Sequence, residues 1–190
     1  MKSLGKVNGL LELAFEPHEV EFLLGLSEKI PPALELAGDH RLFPSHAEDQ
    51  ALDQELRAWL HPELKAARQE RAAAFQRELH AAFKTNGVAR LDDAALDRWI
   101  SVLNDLRLIF AGELGIDADD WPTRLTKEQR ESAPVRIYSY LTGLQGALNA
   151  SDTRQVARQQ QRPVDLAGIH QLAGLDLTFN KTGQPLIGHL

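Results

Sequence analysis

The chain has 190 residues, 43% of them hydrophobic and 25% charged, which is ordinary globular usage and enough to build one core without staples. That excludes wholesale disorder and a collagen-like fibre, and the absence of cysteine excludes a disulfide scaffold, a Cys-ligated zinc site, an iron–sulfur cluster and a thiol nucleophile. Twenty-one Lys and Arg oppose 27 Asp and Glu, a net charge of −6 that repels phosphate backbones, so a nucleic-acid partner is not expected.

The N-terminal stretch carries Lys2 and Lys6, but Glu12 and Glu16 interrupt a short apolar run and no small-residue cleavage site follows. It makes a poor signal peptide. No run reaches the ~18 apolar residues a membrane span needs, so no membrane partner is expected and a cytoplasmic location follows by elimination.

Residues 9–15 alternate, with Leu11, Leu13 and Phe15 on one side and Glu12 and Ala14 on the other, which predicts a short strand. Pro17 opens a strongly apolar helix through Val20, Leu23, Leu26 and Ile30 that Pro31 and Pro32 should end or kink. After a connection over 37–47, a second helix covers about 47–60 with Leu52, Leu56, Trp59 and Leu60 on one stripe. His61-Pro62 is expected to break it. A third, alanine-rich helix covers about 62–84 and closes at Asn86-Gly87. A fourth begins after Asp92, a good N-cap, and runs to Leu114 with Gly115 as its stop. An acidic loop over 116–130 leads to a fifth helix over about 132–149.

Beyond Ser151 the chain turns polar and Gln/Arg-rich, and 175–188 reads as a hairpin. Leu175, Leu177 and Phe179 repeat the apolar pattern of Leu11, Leu13 and Phe15, so the two segments are expected to dock, within one chain or between two copies. The expected architecture is all-α. A bundle of about five helices occupies 1–150 and an extension occupies 151–190. At most a small two- or three-stranded β element joins the N-terminal strand and the tail.

The fourth helix carries the polar puzzle. At about 100° per residue, Leu96, Trp99, Ile100, Leu103, Leu106, Phe110 and Leu114 form one stripe, and Arg107 falls inside it. A guanidinium there needs acceptors, because an unpaired buried charge is costly. The same construction puts Glu55 beside the Leu52/Leu56/Trp59 stripe, Glu78 on the Leu64/Phe75/Ala82 stripe with Arg68 and Arg71 beside it, and Gln145 among Ile137, Tyr138, Leu141, Leu144 and Leu148. Asn104 lies on the flank of the fourth helix. Glu55, Glu78, Asn104, Arg107 and Gln145 are therefore expected to form a buried network or to line a polar ligand pocket. Glu55 is the first choice of carboxylate for Arg107, and Glu78 the second.

No chemical motif competes with that reading. The seven histidines include no His-x-x-x-His or His-Glu-x-x-His pair, so no metal site and no cofactor are expected. Asp117, Asp119 and Asp120 imitate a calcium loop but lack its later glycine and closing glutamate. Neither a glycine-rich phosphate loop nor a Gly-x-Ser-x-Gly elbow is present. Asp165–Phe179 lacks the basic or amide residues of a recognition helix.

The order of several segments is similar to a bacterial family known as a domain of unknown function (DUF2017). They are Glu19-x-x-Phe22-Leu23-x-x-Leu26, Arg41-Leu42-Phe43-Pro44, Glu55-Leu56-Arg57, Trp99-Ile100-x-x-Leu103-Asn104-Asp105-Leu106-Arg107-Leu108, Glu113-Leu114-Gly115-Ile116 and Tyr140-Leu141-x-x-Leu144-Gln145-x-x-Leu148. The Asn104–Leu108 run is the specific part, and the resemblance spans about 9–150. The chain departs from the pattern at Phe110-Ala111-Gly112 and in its C-terminal extension. The resemblance implies a bacterial, cytoplasmic protein with no catalytic residue to carry over, encoded near an adaptor of regulated proteolysis.

The leading expectation is a non-enzymatic helical interaction or regulatory module, linked through the resemblance to regulated proteolysis. Its partner would be an unidentified protein, a second copy of the chain included. Two alternatives stand beside it: a small polar-ligand sensor or enzyme built on the Arg107/Glu55 interior, and a transcription regulator.

Overall fold

The computed structural model describes residues 1–36, 41–45, 48–117 and 121–151. Lys2–Val7 (β1) and Leu10–Ala14 (β2) form a hairpin through Asn8-Gly9, both with positive φ, the backbone a two-residue turn of this kind demands. Val88–Leu91 (β3) adds to the other edge of β2, giving an antiparallel sheet of order β1-β2-β3. Leu11 pairs with Leu91 and Leu13 with Ala89, so one face is apolar. On the other, Arg90 Nε donates to Glu12 Oε1 at 2.7 Å.

The helical segments of the described residues begin at caps or prolines legible in the chain. Pro17–Ser27 (α1) starts on its proline, and Glu19 reaches back to accept the Glu16 amide at 2.8 Å. Ile30–Glu35 (α2) holds Pro31 and Pro32 in its first turn, where a missing N–H does no harm. The two prolines start a helix rather than finish one. Asp92 caps Asp93–Glu113 (α4) through the Ala95 amide at 2.7 Å. The expected loop over 116–130 contains two single turns, Trp121–Arg124 (α5) and Lys127–Arg130 (α6), the latter capped by Thr126. Ala133–Ser151 (α7) follows the fifth expected helix closely.

The expected break at His61-Pro62 is corrected: Gln50–Lys84 is one 35-residue helix (α3) with Pro62 inside it. The helical donor lost at Pro62 would have served the Ala58 carbonyl, and Ala58 is exposed, so that carbonyl need not be satisfied within the helix. Capping by Asp49 at the start and the left-handed Asn86 and Gly87 at the end hold the two halves in one run.

The architecture is mostly helical with a small three-stranded sheet. The sheet comes from β1, β2 and β3, whereas the expected partner, the segment around Leu175, Leu177 and Phe179, lies outside the described residues. α4 is the centre. It packs antiparallel to α7 on one side and to α3 on the other, with Trp99 fully buried between Phe15, just past β2, and Phe75 of α3. Ten of its 21 residues are buried, against four of 35 in α3.

Candidate functional site

Arg107 points toward α7, as its place in the stripe requires, but it is only half-buried and its partners there are neutral. Its Nε donates to Thr142 Oγ1 at 3.0 Å, Nη1 donates to Gln145 Oε1, and the guanidinium lies 5.4 Å from the centre of the Tyr138 ring. Gln145 in turn donates to the Ile100 carbonyl at 3.2 Å, tying α7 back to α4. The structure thus joins Arg107 and Gln145. Asn104, on the flank of α4, is half-buried.

The expected pairing of Arg107 with Glu55 or Glu78 is corrected. Glu55 is exposed on the N-terminal half of α3. Glu78 is committed elsewhere, accepting from Arg98 Nη2 at 2.5 Å and from the Trp99 indole at 2.6 Å. The physical reason is the layer order. Arg107 faces α7, while Glu55 and Glu78 belong to α3 across the opposite flank of α4, so the five candidate residues line no shared pocket.

The pair that sequence reasoning missed is Arg68 and Asp105. Asp105 is 4% exposed, and Arg68 Nη1 donates to it from α3. The same guanidinium gives Nη2 to the Leu42 carbonyl at 2.9 Å and lies 5.6 Å from the Phe43 ring centre, which stacks on His61. Burial pushes the Asp105 carboxyl above its ordinary range, with Arg68 and then Arg71 pulling the other way. Desolvation wins even though the ion pair is made. A signal was available: Leu42-Phe43 and Asp105 belong to two of the segments that carried the family resemblance, and Arg68 is where they meet.

A second buried cluster lies around Tyr140, in the first half of α7. Glu19 accepts from the Met1 amino group at 2.6 Å, and the Tyr140 hydroxyl is buried nearby without a partner among the described residues. Burial, then the Glu19 charge, pushes the Tyr140 phenol far above its ordinary value.

Leu11, Leu13 and Phe15 sit in the main core with Trp99, and both hydrogen-bonding edges of β2 are taken by β1 and β3; the tail expected to dock on them lies outside the described residues. The stripe left open is elsewhere. None of residues 50–60 is buried, and Leu52 and Trp59 are 48% and 80% exposed. Among the described residues, no cluster of three His, Asp or Glu could hold a metal, and no helix is long and apolar enough to cross a membrane.

Neither a curated protein nor a solved structure matches the chain. A family model does, over residues 1–151, which takes in the sheet and every helix described above. On that match the chain belongs to the family described as a domain of unknown function, DUF2017.

Proposed function

We propose that the chain is a protein–protein interaction module without chemistry of its own, engaging its partner through the N-terminal half of α3. The observation that supports this most is the exposure of Trp59, 80%, on the same helix face as Leu52 and Leu56. A long helix whose apolar stripe is left open by the described residues has the form of a helix-docking surface, and tryptophan is among the residues most enriched at binding hot spots. The stripe is bordered by Glu48, Asp49, Asp53, Glu55 and Glu63, with Arg57 the single cation between them. Charge complementarity therefore favours a partner segment that is apolar and basic. The lack of cysteine fits a reducing compartment, and a cytoplasmic setting is part of this reading. Regulated proteolysis is the process we attach to it, on the resemblance described above.

The test is a photo-crosslinking residue placed at Trp59 in the full chain inside its native cell, with Lys84, exposed at the far end of the same helix, as the control position. One adduct formed at 59 and absent at 84 supports the reading, and its mass separates a second copy from another protein. Equal or no capture at the two positions overturns it.

A further inference from the structure

We propose that the groove between α3 and α4 binds a small oxyanion, a carboxylate or phosphate compound, on the Arg71 guanidinium. α3 and α4 run antiparallel, with Glu78 against Arg98 and Arg68 against Asp105, and the groove runs along α3 beside the first of these contacts, with Arg98 lining it from α4. The cleft there measures about 440 Å³, within the range of about 300–1,000 Å³ usual for small-molecule sites. Three guanidiniums line it, from Arg71, Arg77 and Arg98, against two carboxylates, from Glu70 and Glu78.

Both carboxylates are already committed. Glu70 pairs with Arg77 at 3.3 Å, and Glu78 holds Arg98 and the Trp99 indole. Asp105, on the core side, is taken by Arg68. Arg71 makes no hydrogen bond among the described residues, although its charge acts on Asp105, and its Nε, like those of Arg68 and Arg98, is buried without an acceptor there. Such donors are rare in folded proteins, and an anion is one of the standard explanations. A guanidinium offers a planar fork that matches a carboxylate or a phosphate with two parallel hydrogen bonds. Ala74 and Ala81 form a smooth wall along which the body of an organic anion can lie. The local excess of positive charge stands out on a chain whose net charge is −6. It gives the groove a preference that the rest of the surface opposes.

The experiment is a titration of the full chain with sodium phosphate and, separately, sodium citrate, followed by amide chemical shifts, with sodium chloride at matched ionic strength as the reference. Saturable shifts at Ala74, Ala81 and Arg98 are expected. They should require at least tenfold more ligand in Arg71→Gln and less in Glu70→Gln, which removes a competing charge. The stronger of the two anions identifies the source as phosphate or carboxylate. Because Arg71 lies near the core, Arg77→Gln, at an exposed position, serves as a second variant and should weaken binding in the same direction. Shifts that follow ionic strength alone, or an affinity unchanged in Arg71→Gln or, where that variant does not fold, in Arg77→Gln, overturn the proposal.

Discussion

Arg68 and Asp105, 37 positions apart, form an ion pair across the contact between the two longest helices, and the same Arg68 holds the Leu42 carbonyl. One side chain thus fastens α3, α4 and the segment preceding α3. Both side chains are largely buried, Arg68 at 16% and Asp105 at 6% exposure, and burial raises the Asp105 carboxyl despite the ion pair.

Arg68→Ala is expected to lower stability by about 3–5 kcal/mol, because it strands a buried carboxylate. The double change Arg68→Met with Asp105→Leu should recover most of that loss. Denaturant unfolding checks both, and a single-variant loss below about 1 kcal/mol would mean that solvent screens the pair. The pH dependence follows from the same burial. The Asp105 value is higher folded than unfolded, so the native chain holds that proton more tightly. Its contribution is present below the ordinary value of 3.8 and is lost as pH rises through the raised value. That component should vanish in Asp105→Asn.

Arg107→Ala is expected to matter less, about 1–2 kcal/mol, since the change removes hydrogen bonds to neutral groups and leaves no charge unpaired. Gln145 keeps its bond to the Ile100 carbonyl in the variant. A loss above about 3 kcal/mol in urea unfolding would point to a buried carboxylate partner instead.

Two glycines should respond to alanine with opposite signs. Gly87 has φ +83, and a Cβ there would lie 1.9 Å from the Phe15 carbonyl oxygen, a backbone atom that cannot swing aside as a side chain could. The close approach exists because the Phe15 amide donates to the Gly87 carbonyl at 2.9 Å, joining β2 to the end of α3. Gly87→Ala should therefore destabilise by about 2 kcal/mol or more. Gly146 lies mid-helix in α7 with open space at its Cβ position, so Gly146→Ala should stabilise by about 0.5–1 kcal/mol. Thermal unfolding of the two variants beside the parent decides both signs.

Tyr140 should resist ionisation as long as the chain is folded, because burial and the Glu19 charge both oppose the phenolate. Its folded value is raised above the ordinary 10.0, so the stability it contributes is complete below that pH and is lost as pH rises above it. Alkaline unfolding followed by tyrosinate absorbance should show the Tyr140 signal appearing together with loss of helix. Tyr140→Phe should shift that transition to higher pH. Release of the signal from a still-helical chain would contradict the assignment.

The sequence by itself determined the local elements whose causes are local. The alternation at Leu11, Leu13 and Phe15 requires a strand, Asp92 and Gly115 bracket α4, and Asn86-Gly87 ends α3, because periodicity, caps and positive φ act within a few residues. It also singled out α4 as central and Arg107 as polar within an apolar stripe. What it left open were questions of neighbourhood. β3 is four residues whose strand state exists only because β2 supplies the ladder, and β1 depends on β2 in the same way. Pro62 reads as a break unless Ala58 is known to be exposed. The Leu52/Leu56/Trp59 stripe has the same periodicity whether it is buried or open, and only the exposure of Leu52 and Trp59 left by the described residues showed it open. Arg107 and Asp105 lie two residues apart on opposite flanks of one helix. Which flank meets α3, with its Arg68, and which meets α7, with its Gln145, is decided by how three helices stack, and helical spacing carries no information about that.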